Sequence, residues 1–543
     1  MKIVDLSEMK KIEQKAEKEF GFSEEMIIEN VGLRGADFII DKVINNSFFG
    51  EIVFLIGKGN NGADGLAIAR YLKNRGLSIR AFLLFPEESL GDQLKKQLHL
   101  ARCYGVKISE FKNLEQIYSY FTQTQDKYLV IDAILGTGFR LPLSNFLFDV
   151  ISTANTYSNL TVALDIPSGV EGESGKISSC AIRADFTLAI GLPKLGYFVG
   201  GGSEYCGKIK VLDVGLPKMF LEEGDLVLLT KKKVIETLGK RSHFSHKNTF
   251  GHALVLGGSH GLCGALALAS ESAMRVGSGL VSAATWEGNY HEFLARLKSS
   301  EVMTGIIPTE GEEKDIKNVL RNLSEYESIV IGPGLGQSKK TREITLEVLN
   351  SYPGPVVVDA DSIKVLSAKK DSEVFYRRKG PTVLTPHIGE FSNFIGEKKS
   401  DVLDRPIFYL KKFVDKLNCC IILKGHATYL GFPNGKIIVN YSPNGGMATA
   451  GTGDVLAGIL GGLLAQLKPQ NVQSGLFLDK NKIYEALSMG VMVHTLLGKA
   501  ALQKKGSRSM TASCLLDYIS TAFLELGDEM GDGIGDGRED WVI

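Results

Sequence analysis

Neither sign of charge is in excess: 62 Lys and Arg balance 62 Asp and Glu over 543 residues. Nucleic-acid binders and proteins held on anionic membranes carry a cationic surplus, so both classes are disfavoured. Paired metal ligands are scarce as well. The seven cysteines include no CxxC pair and the nine histidines no HxxxH pair, which predicts a reducing compartment and no zinc site. The longest apolar run, around residues 455–467, falls short of the ~20 residues that span a bilayer. The opening stretch MKIVDLSEMKKIEQKAEKEF alternates charged and apolar residues at helical spacing, which no secretory hydrophobic segment tolerates. The expectation is a soluble cytoplasmic protein with neither a nucleic-acid nor a membrane partner.

What is present is a repeated rhythm of strand and helix. The length exceeds what one hydrophobic core supports, so two large domains are expected. From residue 51 the chain reads EIVFLI, a Gly/Asn loop, ADGLAIARYLKNRG, SIRAFLLF, a helical stretch to Tyr104, and YLVIDAI, followed by TVALDI, DFTLAI and KIKVLDV. Strands apolar on both faces that alternate with helices predict an α/β parallel sheet, its ligand lying at the C-terminal ends of the strands. The rhythm stops near Val214 and restarts with GHALVLGG, GLVSAAT, SIVIGPG, GPVVVDAD, PTVLTPH and CCIILKG. The halves show no alignable repeat, so they are read as two different α/β domains. The expected boundaries are 1–220 for the first domain, 221–244 for a linker, 245–526 for the second domain and 527–543 for an acidic, glycine-rich tail.

In the first half, GKGNNGADG matches G-x-G-x-x-G through Gly57, Gly59 and Gly62. A dinucleotide fingerprint has no binding side chains in its turn and an acid at the end of the next strand, whereas here Asn60, Asn61 and Asp64 occupy the turn and the next strand ends at Phe85. These side chains either form the turn themselves or bind a ligand. Asp132 in VIDAILGTG, and Asp165 with Ser168 in ALDIPSG, sit at two other strand ends. Converging Asn, Asp and Ser oxygens suit a hard cation or a substrate hydroxyl.

GNNGADG, VIDAILGTG and ALDIPSG in that order, with IIENVG ahead of the first strand, resemble the NAD(P)H-hydrate epimerase domain over residues 1–215. The resemblance implies a Rossmann-like, three-layer domain that interconverts the R and S forms of hydrated NADH or NADPH. It implies substrate contacts from Asn60, Asn61, Gly62, Ala63 and Asp64, from the loop Gly136, Thr137, Gly138, Phe139 and Arg140, and from Asp165. Asn61, Asp132 and Ser168 would hold a potassium ion. Ala63 stands where glycine is more usual. Loss and return of a hydroxyl beside the ring nitrogen needs a proton donor, and Asp132 is the candidate.

In the second half, NGGMATAGTGD at residues 444–454 precedes the apolar run VLAGILGGLLAQL. Such a run starting at an acid reads as a buried helix with Asp454 in its first turn. The small residues ahead of it leave backbone N–H groups bare, and these attract phosphate together with the helix dipole. A carboxylate repels phosphate, so Asp454 either takes a proton beside that phosphate or is simply a helix N-terminal acid. GGSHGLCGALALASESAMRVGSG forms a glycine loop and an Ala-rich helix but lacks the GK[ST] of a P-loop. IGPGLG exposes backbone, VVVDAD ends on two carboxylates, TPHIGE ends on His387 and Glu390, and KGHATYLG carries Lys424 into a turn.

Together these stretches, with MTASCLLDYI near the end, resemble the nucleotide-dependent NAD(P)H-hydrate dehydratase domain of ribokinase-like α/β fold, from about Ser245 to Ser520. Gly445 replaces a common proline and Ala450 a common glycine. The resemblance implies that Asp454 is the base that deprotonates the hydrate's hydroxyl as a nucleotide phosphorylates it within an anion hole. Ala253, Gly336, His387 and Asp454 would line the hydrate, while Lys424, Gly425, His426, Ala427, Thr428 and Gly453 would bind the nucleotide. ADP with Mg²⁺ is the expected donor, although no motif excludes ATP, and a homo-oligomer is expected. A ribokinase-like small-molecule kinase with a non-catalytic, nucleotide-binding first domain remains the alternative.

Overall fold

Runs of five or six residues dominated by Val, Ile, Leu and Ala become strands buried on both faces, and these organise each half of the chain. The computed structural model describes all residues except 46–49, 112, 124–126, 223, 240, 309–319, 468–469, 473–474 and 528–543, so the acidic tail expected from residue 527 lies almost wholly outside the described residues. The chain divides into two units, Met1–Leu226 and a second beginning at Val227.

In the first unit the strands are β1 (Glu51–Ile56), β2 (Ile79–Leu83), β3 (Lys107–Glu110), β4 (Tyr128–Ala133), β5 (Leu160–Leu164), β6 (Phe186–Ile190) and β7 (Lys208–Leu212). They form one parallel sheet in the order β3-β2-β1-β4-β5-β6-β7. Alternate residues of β1 face opposite sides. Ile52, Phe54 and Ile56 join the core under the helices Leu6–Phe20, Glu24–Phe38, Asn60–Asn74 and Asp92–Cys103, whereas Val53 and Leu55 join the core under Leu114–Gln123 and Asn145–Tyr157. Strand order reverses between β1 and β4, the place where a doubly wound sheet opens a crevice. The two strand ends meet closely there. A Cβ at Gly57 would lie 1.7 Å from the Ile134 carbonyl oxygen, so only glycine permits the approach.

The second unit holds a ten-stranded sheet. Its members are β8 (Leu226–Leu228), β9 (His252–Leu256), β10 (Leu280–Trp286), β11 (Met303–Ile307), β12 (Ser328–Ile331), β13 (Val356–Val358), β14 (Thr382–Leu384), β15 (Cys420–Leu423), β16 (Ala427–Gly431) and β17 (Ile437–Tyr441), in the order β11-β10-β9-β12-β13-β14-β15-β16-β17-β8. Pairing is parallel from β11 through β15 and antiparallel for β15-β16 and β16-β17. The reversal falls between β9 and β12. Helix Thr452–Ala465 is buried along every residue from Val455 onward, which explains its all-apolar composition. It packs closely on helix Cys263–Arg275, since a Cβ at Gly458 would fall 2.0 Å from the Ala269 carbonyl oxygen.

The stretch 221–244, expected to be a linker, contains strand β8 at one edge of this sheet and the helix Lys231–Ile235, whose Val234 is buried in the core of the second unit. Three short apolar residues, Leu226–Leu228, sufficed for an edge strand but were too few to reveal one by periodicity. No helix among the described residues is long and apolar enough to cross a membrane.

Candidate active sites

In the first unit, the loops that leave β1, β4 and β5 meet at the switch point around a cleft of about 660 Å³. The residues Asn60–Asp64 open the helix Asn60–Asn74 after β1, and of these Asn60, Asn61 and Asp64 line the cleft. Gly136, Thr137, Gly138 and Phe139 line it from the loop after β4, and Asp165 from the end of β5. Other expected contacts are directed elsewhere. Gly62 and Ala63 point into the helix–sheet packing, where a Cβ on Gly62 would lie 2.5 Å from the Gly57 carbonyl oxygen and Ala63 is fully buried. Arg140 is exposed, its guanidinium donating to the Phe139 carbonyl at 3.0 Å and lying 3.6 Å from Glu173.

The three residues expected to hold a cation do gather, beneath the cleft and around the backbone of Leu135. The Asn61 amide donates to the Leu135 carbonyl at 2.9 Å, and the Ser168 hydroxyl accepts from the Leu135 N–H at 2.9 Å. Ser168 in turn donates its hydroxyl to Asp132 Oδ1 at 2.6 Å and its N–H to Oδ2 at 2.8 Å. The Asn61 Oδ1 is buried without a partner. Asp132 has no exposed surface and does not line the cleft; burial pushes its carboxyl up to about 6, opposed by the bonds from Ser168 and Ile134. Both its oxygens are turned to Ser168 and Ile134 beneath the cleft rather than into it.

Asp165 is the strained residue of the site, held at φ +60°, where a non-glycine residue is uncommon. Three neighbours fix it. Lys194 donates to its Oδ1, the Tyr197 hydroxyl to its carbonyl, and the Thr137 N–H to Oδ2 at 3.3 Å. Lys194 is itself buried and donates to the Ile190 carbonyl at 2.8 Å. Nothing in the sequence singled out this lysine, because it reaches the site from the turn after β6. The same holds for Glu13, which the N-terminal helix Leu6–Phe20 brings to the cleft. Burial raises the Glu13 carboxyl above its ordinary value, Lys194 opposing and Asp165 and Glu24 adding. Asp64 is pushed up much further, first by burial and then by Asp165, Glu13 and Glu24.

In the second unit, Gly451 adopts φ +93° and starts the helix Thr452–Ala465, so Asp454 sits in the first turn beside bare backbone N–H groups. A Cβ on Gly451 would meet Leu268 and Ala512, which places the MTAS segment directly behind the loop. Lys424 comes from the end of β15, and a Cβ on Gly453 would lie 3.0 Å from its ammonium. The ammonium is 3.0 Å from Asp359 Oδ1, an oxygen that also accepts the Thr385 hydroxyl at 2.7 Å. Burial works against the charge on Lys424, but Asp359, Glu390 and Asp454 outweigh it and raise its pKa. Asp454 is pushed up to about 7, mainly by burial and then by Asp359, with Lys424 pulling the other way. A carboxyl so poised can accept a proton near neutral pH.

His387 begins the helix Ile388–Ile395, its Nδ1 accepting from the N–H groups of Gly389 at 3.0 Å and Glu390 at 3.2 Å while its own N–H donates to Glu390 Oε2 at 3.0 Å. Nε2 is left to carry the ring proton and lies 3.5 Å from Glu390 Oε1. The Gly336 N–H donates to Asp361 Oδ2 at 2.9 Å, so the IGPGLG loop is tied to the second carboxylate of VVVDAD. Gly425 and His426 are exposed in the turn after Lys424, Ala427 is buried, and Thr428 is half-buried in β16. Ala253 departs from expectation. It lies near the start of β9, paired with Val281 and Ser328 and fully buried in the core, away from the strand's C-terminal end. One residue that sequence reasoning missed is His494, whose Nε2–H donates to the Thr452 carbonyl at 2.9 Å; burial lowers it to about 4, so it stays neutral.

Comparison with known proteins separates the two units in the same way. A family model described as NAD(P)H-hydrate dehydratase matches residues 253–521, and one described as YjeF-related protein N-terminus matches residues 24–196. The bifunctional NAD(P)H-hydrate repair enzyme Nnr of Moorella thermoacetica is 32% identical over 537 residues, covering 98% of each chain. That of Thermofilum pendens is also 32% identical and covers 97% of each chain. A solved ADP/ATP-dependent NAD(P)H-hydrate dehydratase from Bacillus subtilis, co-crystallized with ATP and Mg²⁺, is 27% identical and similar over 55% of this chain and 98% of that chain, with a TM-score of 0.46.

Proposed function

The chain belongs to the family of bifunctional NAD(P)H-hydrate repair enzymes, and from that premise we propose how its two units divide the work. The first unit interconverts the R and S hydrates; the second takes the S hydrate and ADP to NAD(P)H, AMP and phosphate. Both are needed, because spontaneous hydration produces both epimers.

The observation that carries the second activity is the Lys424 ammonium lying against Gly453, one residue before Asp454. Asp454 removes the proton of the hydrate's hydroxyl as that oxygen attacks the terminal phosphoryl group of the nucleotide. Lys424 and the N–H groups at the start of the helix Thr452–Ala465 receive the developing negative charge. Phosphate then leaves, expelled by the lone pair of the ring nitrogen, and loss of a proton from the adjacent ring carbon turns the resulting C=N⁺ bond into the C=C bond of NAD(P)H. His387 and Gly336 would contact the hydrate, and the turn Lys424–Thr428 with Gly453 the nucleotide, whose phosphates would bring Mg²⁺ with them.

In the first unit, Asn61, Asp132 and Ser168 would hold potassium, and the unpartnered, buried Asn61 Oδ1 fits a cation of this kind. The ion would counter the Asp132 carboxylate and tie the loops after β4 and β5 together. The seven free cysteines suit a cytoplasmic enzyme, and a homo-oligomer is the assembly we expect.

The test is the absorbance of reduced nicotinamide after adding the protein to a mixed-epimer NADH hydrate with ADP, with ATP, or with neither, in Mg²⁺ and K⁺. Full recovery with ADP is the expected result. Recovery that stalls partway would remove the epimerase, and recovery only with ATP would reassign the donor. None with either nucleotide would overturn the dehydratase reading.

A further inference from the structure

Epimerisation moves a hydroxyl from one face of a ring carbon to the other. The hydroxyl must be protonated to leave, and the water that returns on the opposite face must lose a proton. A carboxyl on a single element reaches one face, so the reaction asks for two.

Five carboxyls line the cleft of the first unit: Glu13, Glu17, Glu24, Asp64 and Asp165. Asp165 holds Lys194 and the Thr137 N–H, Glu24 accepts from the Asn60 amide, and Glu17 is exposed at the rim. Two remain that are neither exposed nor hydrogen-bonded to any described residue. Asp64 lies in the first turns of the helix Asn60–Asn74 with its Oδ1 buried and unpartnered. Glu13 projects from another element, the N-terminal helix Leu6–Phe20, into the same cleft. A buried polar atom left unpaired beside a cleft is a place prepared for a ligand.

We infer that Glu13 and Asp64 are the two proton-handling groups of the epimerase, one serving each face of the hydrated ring. The proposal rests on the epimerase reading of the first unit. One proton is shared between the pair. The protonated carboxyl gives it to the hydroxyl on its own side; the C–O bond breaks, water departs, and the lone pair of the ring nitrogen closes to a C=N⁺ bond. Water then adds to the other face, its oxygen forming the new C–O bond, and surrenders a proton to the second carboxylate. The reverse conversion runs the same steps with the roles exchanged.

The charges around the pair suit this use. Glu13 faces Lys194, Asp165, Glu24 and Lys10, and Asp64 faces Asp165, Glu13, Glu24 and Lys194. Like charges on Glu13 and Asp64 oppose the loss of both protons, and burial of each acts in the same direction. Asp165 and Glu24, facing the same pair, also provide negative charge for a cationic intermediate.

The experiment starts from the full-length protein and one pure epimer of NADH hydrate without nucleotide, and follows the other epimer by chromatography in oxygen-18 water. Wild-type protein should interconvert the epimers and take one solvent oxygen into each molecule converted. Glu13→Gln and Asp64→Asn should each slow interconversion by about 10²-fold or more, while ADP-dependent dehydration of the S hydrate by the same preparations proceeds at the wild-type rate and a wild-type denaturant-unfolding profile certifies that the first unit is folded. Wild-type interconversion by E13Q, or product that retains its original oxygen, would overturn the proposal. A wild-type protein that leaves the pure epimer unchanged would instead overturn the epimerase reading itself, and the proposal with it.

Discussion

The Lys424 ammonium and the Asp359 carboxylate stand 3.0 Å apart at the ends of two strands, β15 and β13, that are not neighbours in the sheet. Asp359 is 1% exposed, so the pair is a charged brace spanning β14, and it keeps Lys424 directed at Gly453. Removing the charge of Asp359 leaves the half-buried lysine among fewer counter-charges, a change that costs up to about 3–5 kcal/mol when a partner is deleted outright from a fully buried pair. Asp359→Asn should lower the kcat/KM for nucleotide-dependent dehydration by about 10²-fold, since charge-assisted bonds are worth about 2–3 kcal/mol. Epimer interconversion should be unchanged, and steady-state kinetics of both reactions on one preparation would check it.

Asp454 predicts a pH profile. Its carboxyl is raised from the ordinary 3.8 to about 7, and a base works only when deprotonated, so the dehydration rate should climb as pH rises through about 7 and flatten above it. Asp454→Asn should remove that inflection and lower the rate by about 10²–10⁴-fold. The profile of rate against pH, measured with saturating nucleotide, distinguishes the loss of a base from a general loss of binding.

Lys194 makes a stability prediction in the first unit. It and Asp165 are 3% and 11% exposed in their side chains, so Lys194→Met leaves a carboxylate buried and unpaired at a cost of about 3–5 kcal/mol. The double variant Lys194→Met, Asp165→Asn should recover most of that stability without recovering interconversion. Denaturant unfolding of the three proteins measures the first part and epimer chromatography the second.

Gly458 tests the packing that places Asp454. A Cβ there meets backbone of the neighbouring helix at 2.0 Å, so Gly458→Ala should destabilise the second unit by about 1–3 kcal/mol, as overpacking does. Gly264, on that neighbouring helix, has nothing within 4 Å of its Cβ position. Gly264→Ala should be neutral or stabilising by up to about 1 kcal/mol. Thermal melts of the two variants side by side check the contrast.

Much of this was legible in the sequence because the informative residues are contiguous. The strand runs from EIVFLI to CCIILKG, the helix that starts at Asp454 and the three loops of the first cleft are each read from one short window, and all appear where expected. Depth was not legible: VIDAILGTG shows that Asp132 ends a strand, but only the sheet shows that both its oxygens turn inward to Ser168 and Ile134. The place of Ala253 was hidden for a related reason, since its position near the N-terminal end of β9 becomes visible only in register with Val281 and Ser328. Glu13, Lys194 and His494 reach the sites from helices and turns remote in sequence, and ordinary Glu, Lys and His side chains carry no local mark of that journey.

The short strand β8 decides where this protein can be cut. It covers one flank of β17, with the Leu229 N–H donating to the Val439 carbonyl at 2.7 Å just beyond it. A shortened chain starting at residue 245 would lose that cover and strip Val234 from the core. The bared flank of β17 would then offer its unpaired N–H and C=O groups to other molecules, the usual route by which open sheet edges assemble into aggregates. Isolation of the dehydratase half in soluble form therefore calls for a start ahead of Leu226.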